Sequence, residues 1–169
     1  MTPALALERI TCTFVSRQDR NQRYTALRDT SLVIAPGEFV SVVGPTGCGK
    51  STLLNIAAGL LEPSGGRVAV FGEPLAGVNS RAGYLFQSDA LMPWRNALDN
   101  VTAGLEFRGV APAEALAQAN DWLMRVGLVG FGDRYPHQLS GGMRKRVSLA
   151  QTLILDPQIL LMDEPFSSL

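Results

Sequence analysis

The chain has 169 residues, 46% of them hydrophobic and 18% charged, enough for one domain with a packed core and too apolar for a disordered segment. Its 15 basic and 15 acidic residues balance, so net charge gives no reason to expect a nucleic-acid partner. Two cysteines, Cys12 and Cys48, read as reduced thiols of a cytosolic compartment, and no apolar run nears a membrane-spanning length, so any membrane association must come through a partner.

Residues 4–14 alternate apolar side chains at Leu5 and Leu7 and read as a strand. The polar run 17–23 reads as a hairpin loop and Tyr24 to Ile34 as the returning strand, stopped by Pro36-Gly37. Glu38 to Val43 reads as a buried strand. Lys50 to Leu60 reads as a helix with Leu53, Leu54, Ala57 and Leu60 on one face. A turn at 62–66 leads into a short strand at Arg67 to Phe71, and Gly83 to Phe86 is a further strand that ends at Gln87. The character then becomes helical, from Ser88 to about Phe131. Leu98 to Phe107 forms one helix. Pro112 to Val126 forms a second, with Leu116, Ala119, Leu123 and Val126 facing inward. Ser140 opens a third, with Val147, Ala150 and Ile154 inward, and Gln158 to Asp163 is an apolar strand ending in acid. Apolar strands alternating with helices predict an α/β fold whose parallel sheet is covered on both faces, with a helical insertion at 88–139.

Between the strand at 38–43 and the helix at Lys50 lies Gly44-Pro45-Thr46-Gly47-Cys48-Gly49-Lys50-Ser51, which fits G-x-x-x-x-G-K-[ST], the phosphate-binding P-loop. Glycines let backbone N–H groups approach phosphate oxygens. Lys50 would set a positive charge on the β- and γ-phosphates and the Ser51 hydroxyl would ligate Mg²⁺. Strand, loop and helix N-terminus in that order make an anion site. Ile159-Leu160-Leu161-Met162-Asp163-Glu164 is a Walker B pattern, in which Asp163 would hold Mg²⁺ and Glu164 would reach the attacking water. In Leu139-Ser140-Gly141-Gly142-Met143, Ser140 reads either as a plain helix cap or as part of a second anion site.

Together, and in this order, these segments resemble the nucleotide-binding domain of ABC transporters, from about Leu5 to the last residue. The resemblance implies a P-loop NTPase fold with a parallel core sheet, an N-terminal antiparallel β subdomain and the helical insertion. It also implies one nucleotide-binding domain over 1–169, incomplete at its C-terminus. Gly44, Pro45, Thr46, Gly47, Cys48, Gly49, Lys50, Ser51 and Thr52 resemble the loop that binds ATP. Gln87 resembles the glutamine that contacts Mg²⁺ or water and links the site to the permease. Ser140, Gly141 and Gly142 resemble the signature that closes on ATP held by a second subunit. Asp163 and Glu164 match the metal-linked aspartate and the catalytic glutamate, giving Ser51, Gln87 and Asp163 as the metal set. Phe14 matches the aromatic that stacks on adenine; Tyr24 is the fallback, and a core aromatic remains the alternative for either.

The segments 87–95 and 133–139 and Met162 to Phe166 resemble the nitrate/sulfonate/taurine branch of importers more narrowly. That implies an ATPase at the cytoplasmic face of the plasma membrane, held peripherally by a transmembrane permease, paired with a second ATPase subunit and served indirectly by an extracytoplasmic binding protein. The segment after Gln87 would form the groove for the permease, with Pro93-Trp94 as part of it or as a packed turn.

The pattern departs from the family at its end: Ser167-Ser168-Leu169 lacks the D-loop aspartate, and the switch-loop histidine lies beyond. His137 precedes the signature and reads as a partly exposed loop residue. A non-catalytic fragment or pseudo-subunit is therefore the second reading. A DNA-repair ATPase of the same family ranks below both, because the insertion is short and lacks cysteine clusters. The strand after the D-loop would separate 39–43 from 159–163, so these two are expected not to pair and the isolated chain to be weakly stable.

Overall fold

The structure, a computed structural model, describes residues 2–15 and 22–165. The expected hairpin loop at 17–23 falls mostly outside them. The chain divides into two compact units, Met1–Ser80 and Arg81–Leu169.

In the first unit, β1 (Leu5–Val15) is central in an antiparallel sheet with β2 (Arg23–Ile34), β3 (Gly65–Val70) and the two-residue β4 (Glu73–Pro74), ordered β2-β1-β3-β4. Leu5 pairs with Ile34 on one side and Val70 on the other; Leu7 pairs with Leu32 and Val68. The alternation seen in the sequence puts Leu5 and Leu7 inside, and an irregularity between Leu7 and Ile10, where Arg9 takes φ +51°, shifts the phase so that Ile10 and Cys12 are inside as well. Burial also pushes the Cys12 thiol pKa up. Helix α1 (Lys50–Ala57) buries Leu53, Ile56 and Ala57. It stops short of the expected Leu60 because Gly59 takes φ +69°, where any Cβ would collide with the Gly77 carbonyl. Leu60 is consequently exposed.

The strand expected at Glu38 to Val43 is not formed. Phe39 is 81% and Val43 85% exposed, and the segment enters no ladder with any described residue. Its β-branched and aromatic side chains supply strand propensity. A strand, however, exists only through a pairing partner, and no described strand lies along this segment.

In the second unit, β5 (Ala82–Leu85) and β6 (Ile159–Met162) pair in parallel, Ala82 opposite Ile159 and Leu85 opposite Met162. Three helices lie between them in sequence: α2 (Ala97–Phe107), α3 (Pro112–Arg125) and α4 (Gly141–Leu153), with a single 3-10 turn at Pro136–Gln138. Their common core holds Val101, Leu105, Ala119, Leu123, Leu128, Val147, Ala150 and Ile154. On α3 the inward face is Ala115, Ala119 and Leu123. Leu116 is 47% exposed, one position off the expected stripe, because the smaller Ala115 takes the place against the neighbouring helices. His137 is exposed and stacks on Tyr135.

A fully buried asparagine shapes the segment after β5. Asn100, on α2, donates to the carbonyls of Met92, Arg95 and Asn96 at 3.1, 3.0 and 2.9 Å and accepts from Met92 N at 2.8 Å. This holds residues 92–96 as a tight turn on which Trp94 stands 73% exposed. Asn100→Leu strands those backbone groups and is expected to cost about 2–4 kcal/mol in urea unfolding. A loss below about 0.5 kcal/mol would show that the turn is held by other contacts.

Candidate functional site

The site residues fall into two groups, one in each compact unit. In the first unit the P-loop runs into α1, whose N-terminus carries no side-chain cap and no acidic residue in its first turn. Its N–H groups and the positive end of the helix dipole therefore suit an anion. Gly49, at φ +102°, lies so close to β2 that a Cβ would meet the Ala26 carbonyl at 2.7 Å and Leu27 Cδ2 at 2.9 Å. Only glycine lets the loop turn there. The Lys50 ammonium donates to its own loop, to Gly44 O at 2.9 Å and Pro45 O at 3.1 Å. These neutral acceptors hold the amine over the loop, and a charged acceptor would bind it more strongly than they do. Thr46, Cys48 and Ser51 are exposed on the same loop and Thr52 is half-buried. The Cys48 thiol is free.

Phe14 and Tyr24 are directly opposite each other across the β1–β2 ladder, and both are exposed. Opposed residues share a sheet face, so the two aromatic candidates form one platform. The Tyr24 hydroxyl donates to Gly47 O at 3.2 Å, which fixes that platform beside the P-loop. An open depression elsewhere on this sheet, lined by Glu8, Arg9, Asp29 and Arg67, has its charges already paired, Arg9–Asp29 at 3.0 Å and Arg67–Glu8 at 2.7 Å. As exposed pairs they contribute little.

In the second unit the parallel pairing of β5 and β6 brings the two strand ends together. Gln87 follows one end, and Asp163 and Glu164 follow the other. Asp163 N donates to Leu85 O at 2.9 Å, and Asp163 as a residue is only 8% exposed. Gln87 Nε2 donates to Glu164 Oε2 at 3.1 Å. Glu164 itself sits at φ +46°, the left-handed region that costs a non-glycine residue about 1 kcal/mol or more, a common mark of a functional position. Tyr84 stacks on Phe86 two residues on, with ring centroids 4.1 Å apart, and burial followed by the Asp163 charge pushes its pKa up to about 12.

Ser140 caps α4, accepting from Met143 N at 3.3 Å, and places Gly141 and Gly142 in the first turn. The metal candidates are divided between the units, Ser51 in the first, Gln87 and Asp163 in the second. Among the described residues no cluster of three or more His, Cys, Asp or Glu could hold a metal ion.

Sequence reading passed over Arg144, Lys145 and Arg146, which look like an ordinary solvated basic run. The structure uses all three. Arg144 Nε pairs with Asp89 at 2.8 Å and its guanidinium also donates to Leu139 O at 2.8 Å. Lys145, 5% exposed, donates to Phe86 O at 2.8 Å and Gln87 O at 3.2 Å. Arg146 donates to the carbonyls of Val126 and Gly127 after α3. The apolar stripe of α4 gave no signal for Lys145, which lies about 200° round the helix from Val147 and shares its face with the buried Ser148 and Thr152.

Comparison with known proteins adds the family. The ABC transporter family matches residues 27–167. The chain belongs to the ABC transporter family. Among this family's members it is 51% identical to the taurine import ATP-binding protein TauB of Pseudomonas aeruginosa, over 92% of this chain and 59% of that protein. It is 47% identical to TauB of Pseudomonas putida, over 98% and 61% respectively. The chain thus spans about three fifths of the length of these curated relatives. The ATP-binding cassette MJ0796, solved as a dimer in a post-hydrolysis state bound to ADP and Pi, superposes with a TM-score of 0.88 at 32% identity, covering 98% of this chain and 75% of that one. The fold is accordingly that of the ABC cassettes, α/β with antiparallel and parallel sheets and a helical part.

Proposed function

We propose that the chain binds ATP with Mg²⁺ and hydrolyses it as the nucleotide-binding subunit of an ABC importer, energising uptake of a small anion such as taurine, another sulfonate or nitrate. The observation that carries the catalytic part is the Gln87–Glu164 hydrogen bond at the adjoining ends of β5 and β6. It sets an acceptor carboxylate and a polar amide side by side next to the buried Asp163. The identity to taurine import ATP-binding proteins carries the choice of importer.

In this reading the backbone N–H groups of 44–52 receive the phosphates, and the Lys50 ammonium leaves the Gly44 and Pro45 carbonyls for the more strongly accepting phosphate oxygens. Phe14, with Tyr24 opposite, offers a face to the adenine ring. Ser51 of the first unit and Gln87 and Asp163 of the second are the residues that would ligate Mg²⁺, and the ion would supply charge neutralisation to the phosphates. Glu164 accepts the proton of the attacking water while Gln87 orients both. Ser140, Gly141 and Gly142 act on the nucleotide of a second copy, since a helix N-terminus freed by two glycines suits a γ-phosphate. The subunit works at the cytoplasmic face of the membrane, held there by a permease, and is linked only through that permease to an extracytoplasmic binding protein. No described helix is long and apolar enough to cross a membrane.

The test is reconstitution with a permease and binding protein in liposomes. ATP-dependent uptake of labelled taurine, an alkanesulfonate or nitrate is the expected result. Robust ATP turnover with no uptake of any of the three would remove the small-anion importer and leave the ATPase.

A further inference from the structure

We infer that Lys145 is a positioning residue for the catalytic pair, holding the backbone of Gln87 so that its amide reaches Glu164, and that with Arg144 it makes the Gln87 loop and the signature helix move as one piece. The catalytic consequence rests on the ATPase reading above; the mechanical link does not.

Three observations in the second unit support this. First, Lys145 is almost wholly buried, and its ammonium donates to the carbonyls of Phe86 and Gln87. A buried ammonium is costly to desolvate, so its acceptors are held against it as firmly as it is held against them. Second, the preceding residue secures the far side of the same loop. Arg144 binds the Asp89 carboxylate, and the same guanidinium takes the carbonyl of Leu139, the residue before the Ser140 cap. The loop is therefore fixed to α4 at residues 86, 87 and 89, on both sides of the Gln87 side chain. Third, the segment between has little else to define its shape. Gln87 and Ser88 are exposed, and Ala90 is at φ +51°, a conformation a free loop would leave.

The geometry has a direct consequence. The Gln87 amide reaches Glu164 from the loop, not from β5, whose last ladder residue is Leu85. Releasing the carbonyls of 86 and 87 frees the amide from the carboxylate without touching either. Conversely, a displacement of Ser140-Gly141-Gly142 is passed through Arg144 and Lys145 to Gln87 within one helical turn.

The test uses Lys145→Met, which keeps the length and apolar stem and removes the donor. Backbone NMR order parameters at 87–90 in the 169-residue chain are expected to fall from about 0.85 to below about 0.6, with those of α4 unchanged. Unchanged values at 87–90 would overturn the inference. If the Met variant does not fold, Lys145→Leu, which likewise removes the donor, is measured in the same way with the same two outcomes. Turnover then separates positioning from general damage. Lys145→Met is expected to lower kcat about tenfold or more in the parent and by less than about twofold in a Gln87→Ala background, because its effect passes through Gln87. An equal fold-loss in both backgrounds, as a reduced folded fraction would give, would overturn the positioning role. Absence of turnover in the parent chain would count against the ATPase reading alone, and the order parameters would still decide the link.

Discussion

Lys50→Ala is expected to weaken MgATP binding by about 100-fold or more, since two to three charge-assisted contacts to phosphate, each worth about 1.5–3 kcal/mol, disappear together. The structure explains why the loss should be specific. The amine's present acceptors are the exposed carbonyls of Gly44 and Pro45, which water can satisfy, so the loop keeps its fold without the lysine. Titration with a fluorescent ATP analogue measures it. Affinity within about threefold of the parent, at unchanged thermal stability, would mean that Lys50 does not contact phosphate.

Glu164→Gln is expected to separate binding from chemistry. A glutamine at this position keeps an oxygen to accept from Gln87 Nε2, so the local geometry survives, but it cannot take a proton from water. Turnover should fall by about 100- to 1,000-fold, the range for loss of a positioned general base, with ATP affinity nearly unchanged. An ATP-bound dimer should accumulate. A variant that turned over ATP at the parent rate would take the catalytic role from Glu164.

The two strongest motifs were legible because their chemistry demands particular residues at fixed spacing. The P-loop pattern asks for Gly49 and Lys50 at fixed positions, and for Gly49 the structure shows a reason, since a Cβ there would meet Ala26 O at 2.7 Å. The apolar run ending in Asp163-Glu164 was legible for the same reason, as was the Ser140 cap. The strand at 38–43 was not, since its side chains state a propensity while the pairing depends on what lies alongside. Leu116 was misplaced by one position because size, not hydrophobicity, decided which residue of α3 fits the helix interface. Lys145 and Asn100 were missed because a buried polar residue gains its meaning only from the backbone carbonyls that fold against it.

The central claim is that two copies of this chain share their nucleotides, the P-loop of one facing the signature of the other. Ser140→Arg should leave nucleotide binding by the single copy nearly intact and abolish hydrolysis, because the bulky cation would occupy the γ-phosphate position of the partner's site. Mixing it with Lys50→Ala tests the claim most directly. In the heterodimer one composite site carries both defects and the other carries neither, so turnover should return to about one quarter of the parent value when pairing is random. No recovery, with heterodimers verified by native mass spectrometry, would contradict the shared sites.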